Sequence, residues 1–222
     1  MTFTIHRLQF SPSLIPTSAT MVMVALTLYL GHWQQGRAAE KRGLQAQYDA
    51  RASEPSIALT PQATNPEFRY RQAVAEGEWL SSGQVYVDNK VNHEVAGFHV
   101  ITPLKIDNAG TYVLVNRGWI PRGKTYPLPP KVETPAGHVR VTGLLSVPTS
   151  RFLELSSQAV QGNVWQNLTI DRFRDASKLD LLPFVLLASE AVAPLEAVSE
   201  LPDAREGKHV EYMLTWYSLA AT

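Results

Sequence analysis

The chain has 222 residues, with 20 basic and 20 acidic side chains, 18% charged residues and no cysteine. A formal net charge of zero, without a run of Lys or Arg, excludes the basic surface that a nucleic-acid-binding protein needs. The absence of cysteine excludes disulfides, zinc ribbons, a thiol nucleophile and Cys-ligated iron–sulfur clusters.

The first predicted element is a membrane-spanning helix. No charged residue occurs from Ser11 to Gly31, and crossing a hydrocarbon core of ~30 Å takes about 20 helical residues. Tyr29 and Trp33 stand at the C-terminal end of this stretch, where amphipathic rings favour the membrane–water interface. We therefore predict a cytoplasmic tail over residues 1–12 and a transmembrane helix over residues 13–33.

A cleaved signal peptide is the alternative interpretation of this segment. Its basic flank would consist of His6 and Arg7 alone, the apolar stretch is long for a signal peptide, and GHWQQGR lacks a small-x-small cleavage site. No Arg-rich mitochondrial presequence precedes the segment either. We therefore expect an uncleaved anchor in a bacterial protein.

The charges beside the span point to a cytoplasmic domain. Arg7 stands alone on the N-terminal side, whereas four basic residues follow on the C-terminal side: Arg37, Lys41, Arg42 and Arg51. By the positive-inside rule, the C-terminal side would then face the cytoplasm.

A juxtamembrane helix is predicted over residues 34–52. Trp33, Arg37, Lys41, Leu44 and Tyr48 recur at steps of three and four residues, which places them on one helical face. The sequence Ser53-Glu54-Pro55 ends this helix.

Short strand-like segments joined by turn-rich links dominate residues 53–207. The predicted strands are Phe68–Ala75, Gln84–Asn89, Gly97–Ile106, Thr111–Trp119 and His138–Val147. Apolar and polar residues alternate in the third and the fifth of them, and residues 107–110 carry a hairpin turn signal. Helical character is predicted over Asp171–Asp180 and a surface connection over Ser189–Gly207. We predict a β-rich domain with a small antiparallel, barrel-like sheet.

The C-terminal residues predict a second helix. His209, Tyr212, Met213 and Trp216 fall at i, i+3, i+4 and i+7, which is one helical face. No charge appears from Met213 onward, and the ten remaining residues would cross about half a bilayer. We interpret residues 208–222 as the start of a second span in a truncated chain, with an interfacial helix as the alternative.

Common catalytic motifs are absent from the sequence. It contains no GxGxxG, no GxxxxGK[ST], no GxSxG and no HExxH, and its six histidines are scattered. We therefore expect a protein that is not an enzyme.

Five sequence blocks occur in an order that resembles a known family. The first consists of Gly31, Trp33, Gln34, Arg37 and Lys41. The others are FRYRQAVAEGEW at 68–79, GFHVITPLKIDNAGTYVLVNRGWIPRG at 97–123, NVWQNL at 163–168 and the ending KHVEYMLTWYSLAA. In combination they resemble the Surfeit locus protein one family, assembly factors of cytochrome c oxidase.

The resemblance implies an α+β membrane protein of the bacterial inner membrane. Family members have two spans that bracket a periplasmic domain, and this topology overrules the charge count, because a long domain can translocate regardless of nearby charge. The implied function is assistance in delivering haem a to oxidase subunit I or inserting it there, with haem a synthase as a further partner. The alternative is an interaction protein that stabilises subunit I or an assembly intermediate without binding haem.

The resemblance also implies a haem a site at the start of the second span. His209 would supply the axial nitrogen, Tyr212, Met213 and Trp216 would line the slot, and Arg37 and Lys41 would meet the propionates. We consider His32 as a second axial ligand. The alternative is that these residues form an ordinary interfacial belt of aromatic and snorkelling basic side chains.

A second motif, Asn116-Arg117-Gly118-Trp119, is predicted to fix a strand end and the turn after it. Contact with the oxidase is the alternative role for these four residues. Trp33 and Gln34 are assigned to the same class of structural or partner-contacting residues.

Overall fold

In a computed structural model the chain divides into two compact units, Met1–Gln47 with Leu201–Thr222, and Tyr48–Glu200. The structure describes residues 3–5, 8–10, 13–106, 110–148, 160–198 and 206–221, and of 3–5, 8–10 and 206–209 the backbone alone. Most of the predicted hairpin turn, residues 107–109, therefore lies outside the described residues.

The described residues form three α-helices and eleven strands. The helices are α1 (Leu14–Ala52), α2 (Ile170–Ser177) and α3 (Glu206–Ala221). The strands are β1 (Phe3–Ile5), β2 (Leu8–Phe10), β3 (Ile57–Ala58), β4 (Gln72–Trp79), β5 (Val85–Asn92), β6 (Val95–Ile106), β7 (Thr111–Pro121), β8 (His138–Ser146), β9 (Val160–Gln161), β10 (Val164–Trp165) and β11 (Asp180–Ala188).

Helix α1 confirms the predicted N-terminal apolar helix. Pro16 lies in its first turn, where the missing N–H costs no hydrogen bond, and no other proline interrupts the helix before Ala52. Large apolar side chains such as Leu14, Met21 and Val22 are exposed along its N-terminal half. Among the described residues, α1 is the one helix that is long and apolar enough to cross a membrane.

The second unit is built on a nine-stranded sheet, which confirms that this part of the chain is β-rich. The strand order is β3-β4-β8-β11-β7-β6-β5-β10-β9, and β4 also pairs with β6. The strands β4, β8, β11, β7 and β6 therefore form a closed circuit of hydrogen-bonded neighbours. A small barrel requires such a circuit, while the barrel-like shape itself stays a prediction.

The sheet is mixed, so the prediction of an antiparallel sheet is wrong for part of it. Strands β3 and β4, β5 and β10, and β7 and β11 pair in parallel. The pairing of β7 with β11 is parallel because the chain returns to the sheet through α2 and enters between β7 and β8.

Strand β11 has no counterpart among the predicted strands. Most of its residues are buried, so its sequence, DLLPFVLLA, shows a continuous apolar run instead of alternation. Pro183 lies where the register against β7 shifts between Leu181 and Val185. A bulge is one of the few places where a sheet accepts proline.

The main core cluster draws on all five strands of the closed circuit. Its large buried members include Leu104, Val113, Leu145, Phe184 and Leu186. A second cluster lies on the other face of β7 and β11, where α2 covers it with Phe173. Thr169 is the N-cap of α2, and its side chain accepts a hydrogen bond from the Arg172 amide at 3.1 Å. These clusters hold β7 in position, and β7 carries the second sequence motif.

Candidate functional site

Helices α1 and α3 contact each other at Gly31 and Tyr217. The Tyr217 hydroxyl donates to Gln35 Oε1 at 3.2 Å, and the Tyr217 ring covers Gly31. Gly31 belongs to a stripe of shielded residues with steps of three and four, which is the spacing of packed helices. The stripe consists of Val24, Thr27, Gly31, Gln34, Ala38, Lys41 and Gln45.

The predicted haem-binding residues of α3 lie in its first three turns. His209 is the fourth residue of the helix, and its side chain lies outside the described part of the chain. Tyr212 is 56% exposed, whereas Met213 and Trp216 are partly buried. The exposed ring and the two shielded side chains show that only part of this helical face is available to a ligand in this conformation.

The two predicted propionate-binding cations occupy different environments. Arg37 forms an ion pair with Glu40 at 2.9 Å, and its guanidinium lies 5.9 Å from the centre of the Trp33 ring. Lys41 belongs to the shielded stripe and is partly buried. Gln34 lies in the same stripe, while Trp33 is 48% exposed.

His32 does not lie at the level expected for His209. It is exposed and adjoins Gly31, so it lies at the level of Tyr217. His209 precedes Tyr217 by eight residues, which corresponds to about 12 Å along a helix axis. The register does not favour a site shared by both histidines, and their joint ligation stays a prediction.

The motif Asn116-Arg117-Gly118-Trp119 forms a bulge within β7 instead of a strand end. Val100 of β6 pairs with Gly118 and Ile101 pairs with Asn116, so Arg117 is the extra residue. The strand then continues to Pro121. A β-bulge redirects the side chain of its extra residue, and here it redirects a charged one.

Neighbouring groups fix the residues on both sides of the bulge. Asn116 donates from Nδ2 to His99 Nδ1 at 3.2 Å and accepts from the Gly118 amide at 3.1 Å. Trp119 exchanges two backbone hydrogen bonds with Glu196, of 2.7 and 2.8 Å, and its indole donates to the Lys90 carbonyl at 2.9 Å. This motif therefore ties β6, β7 and the segment after β11 together.

Gln84 holds the Arg117 side chain in place, although no sequence motif includes this glutamine. Gln84 Oε1 accepts from Arg117 Nη1 at 2.9 Å and from the hydroxyls of Thr102 and Thr134 at 3.1 Å each. Arg117 Nη2 donates to the Glu133 carbonyl at 2.9 Å. A single glutamine before a strand carries no sequence signal for such a role.

Burial changes the acid–base properties of two groups at the bulge. It lowers the pKa of His99 to about 3, with a smaller contribution from the charge of Lys90. It also lowers the pKa of the Arg117 guanidinium, against a smaller opposing effect of Tyr86. His99 is therefore neutral at physiological pH, and the hydrogen bond that Asn116 Nδ2 donates requires the tautomer in which Nδ1 carries no proton.

Within the part of the chain that the structure describes, no three His, Asp or Glu side chains are grouped so that they could hold a metal ion. The side chain of His209 in α3 is not among those that the structure describes.

Comparison with known proteins finds the same family over most of the chain. A family model described as the SURF1 family matches residues 21–221. A SURF1-like protein from Monosiga brevicollis is 28% identical over 217 residues, which cover 91% of this chain and 82% of the relative. Surfeit locus protein 1 from Mus musculus is 23% identical, with coverage of 90% and 71%. A SURF1-like protein from the bacterium Rickettsia conorii is 27% identical, with coverage of 90% and 85%.

Proposed function

Because this chain belongs to the SURF1 family, as its sequence motifs predict, we propose that it is a membrane-anchored assembly factor for cytochrome c oxidase. In this role it assists the delivery of haem a to subunit I or its insertion there and catalyses no reaction of its own. The observation that carries the proposal is the family match, which extends from within α1 through the sheet to the last residue of α3.

Membrane anchoring is supported by the properties of α1. Its N-terminal half is uncharged and exposes large apolar side chains, which would be unfavourable in water. A lipid bilayer would cover them and leave the polar C-terminal half outside. Together with the Rickettsia relatives, this favours the inner membrane of a bacterium, and we propose that the sheet domain lies in the periplasm.

The proposed orientation can be tested with single cysteines, because the chain has none of its own. A membrane-impermeant maleimide should label Ser82→Cys, at an exposed position of the sheet domain, in intact spheroplasts. It should label Thr2→Cys only after lysis. The reverse pattern would place the domain in the cytoplasm, as the basic residues after the span favour.

The proposed haem a contact centres on α3. Its donor set suits the group, since His209 supplies an imidazole nitrogen and Tyr212, Met213 and Trp216 supply aromatic and thioether surface on nearby turns. In an anchor of two antiparallel spans with Tyr217 opposite Gly31 and Gln35, His209 would lie level with Lys41. Lys41 would then be the proposed propionate contact at the level of His209, in addition to Arg37, which pairs with Glu40.

Haem handling is tested by purifying the full-length protein from a host that makes haem a and recording its absorption spectrum. We expect bound haem a in the unmodified protein and its loss in His209→Ala. His32→Ala is the matched control at the other helix and should retain both the spectrum and the occupancy. Loss of haem in His32→Ala as well would instead favour the site shared by both histidines.

The second candidate function is that the protein stabilises subunit I without binding haem; one of the proposed propionate partners, Arg37, is already paired with Glu40. Absence of haem from the purified protein, or equal retention by His209→Ala, would support this alternative. In both cases, deletion of the gene should lower the amount of assembled oxidase, and restoration by the His209→Ala variant would separate the two functions.

A further inference from the structure

A cavity of about 400 Å³ opens beside the bulge of β7. Its lining includes Trp79, Arg117, Val139, Val141, Ala188 and Val192. The volume is within the range of small-molecule sites in proteins, and such sites combine apolar walls with a few polar groups. Here the polar group of interest is the guanidinium that the bulge redirects.

Arg117 is a buried cation without a carboxylate partner among the described residues. Its exposed fraction is 7%, and its hydrogen bonds go to the neutral oxygens of Gln84 and the Glu133 backbone. Its guanidinium also lies 5.3 Å from the centre of the Trp79 ring. A buried charge is costly unless an opposite charge compensates it, so the site favours an anion.

Arg122, in the same unit, is an arginine with a structural role and can be compared with Arg117. Its guanidinium lies 4.2 Å from the centre of the Tyr126 ring, much as Arg117 lies against Trp79. However, Arg122 donates twice to Asp88, at 2.9 and 3.2 Å. The difference between the two arginines is the carboxylate, which Arg117 lacks.

The remaining charges at the cavity limit the anion to one of low charge. Arg140 forms an ion pair with Glu76 at 3.1 Å and both side chains are largely exposed, so Arg140 offers little uncompensated charge. Glu190 also lines the cavity and is exposed. Glu190 would repel a dianion such as phosphate more strongly than a monoanion, and the single uncompensated cation matches the single charge of a carboxylate.

We propose that this cavity binds a small monocarboxylic acid, with its carboxylate on Arg117 and its apolar body between Trp79 and the valines of β8. The bulge serves to direct Arg117 to the carboxylate, and Gln84 holds the guanidinium in that direction. This site lies within the sheet domain and does not depend on the role proposed for His209.

The proposal is tested on the full-length protein in detergent micelles with phenylacetate as the probe and phenylacetamide as its neutral counterpart. We expect phenylacetate to bind at least about tenfold more tightly than the amide in isothermal titration calorimetry. Arg117→Gln should abolish this preference, while Arg122→Gln, the matched control outside the cavity, should retain it.

A second variant covers the case in which Arg117→Gln does not fold. Val192 is 67% exposed and lines the cavity, so Val192→Trp should fold and should lower phenylacetate affinity at least about tenfold by filling the space. Equal affinity for phenylacetate and the amide, no binding of either, or full binding by Val192→Trp would overturn the proposal.

Discussion

Gly31 of α1 lies directly under the ring of Tyr217 of α3, where an added Cβ would stand 2.7 Å from Cε1 and 2.9 Å from Cδ1 of the tyrosine. Glycine is therefore required at this position for the ring to reach the helix backbone, as at other close helix contacts. By contrast, a Cβ at Gly36, five residues later, would have no neighbour within 4 Å. The difference shows which side of α1 the second helix covers.

The contact predicts that Gly31→Cys and Tyr217→Cys form a disulfide in one chain. The Cβ of a residue at 31 would lie against the Cδ1–Cε1 edge of the ring, so replacing the ring by a cysteine side chain and moving the two helices closer together brings the two sulfurs within bonding range. The absence of native cysteine makes the measurement direct: after oxidation, both thiols should become unreactive to a maleimide polymer. Tyr29→Cys with Tyr217→Cys is the control, since Tyr29 is 68% exposed. Equal protection of the control pair would contradict the contact.

Sequence patterns were sufficient for the elements with one exposed face or with extreme composition. The uncharged run before Gly31 predicted α1, and alternation predicted β6 and β8 close to their observed bounds. Strand β11 was not predicted because it is covered on both sides, by the main core and by α2, and therefore shows no alternation of apolar and polar residues. The parallel pairing of β11 with β7 is a long-range choice that no local pattern encodes.

The site shows the same division between local and long-range information. The motif at Arg117 was recognised as a unit, yet its bulge arises from pairing with β6, where Asn116 lies opposite Ile101 and Gly118 lies opposite Val100. The partners of Arg117 come from Gln84 and Glu133, on opposite sides in the sequence. Spacing along the chain cannot reveal a cavity that four separate strands enclose.

Gly118→Ala should destabilise the sheet domain. Gly118 has a φ of +142°, which disfavours a side chain, and an added Cβ would stand 2.6 Å from the Glu196 carbonyl oxygen. We expect a loss of about 1–3 kcal/mol in the free energy of unfolding, measured by urea titration of the detergent-solubilised protein. Gly123→Ala is the control, because its Cβ would meet the Pro130 ring at an ordinary 3.6 Å. Equal stability of the two variants would argue against the bulge geometry.

Gln84→Ala should lower the free energy of unfolding by more than the loss of one hydrogen bond would. The amide oxygen serves three donors, and one of them, Thr102, is fully buried and would be left without this acceptor. Because an unsatisfied buried group costs its full desolvation, we expect a decrease of about 2–3 kcal/mol in the free energy of unfolding. Gln161→Ala, at an exposed position of the edge strand β9, should change it by less than about 0.5 kcal/mol. A loss below about 1 kcal/mol at Gln84 would show that water replaces the amide.

His99 should make the sheet domain less stable in mild acid. Burial lowers its folded-state pKa to about 3 from an ordinary value of 6.5. Between these two values the unfolded chain takes up a proton that the folded chain does not, so the free energy of unfolding falls as the pH falls. The slope reaches about 1.4 kcal/mol per pH unit, which amounts to a loss of about 2 kcal/mol between pH 7 and pH 5.

The histidine contribution is isolated by comparing variants at pH 7, 6 and 5. His99→Gln cannot titrate, so its free energy of unfolding should decline less over this range than that of the unmodified protein, by about 2 kcal/mol. The control variant, His93→Asn, removes an exposed histidine from the β5–β6 turn, where a positive φ of 46° suits asparagine. If His99→Gln loses stability with pH as steeply as the unmodified protein, His99 is protonated in the fold. The hydrogen bond from Asn116 to Nδ1 would then be absent, because a protonated ring nitrogen cannot accept it.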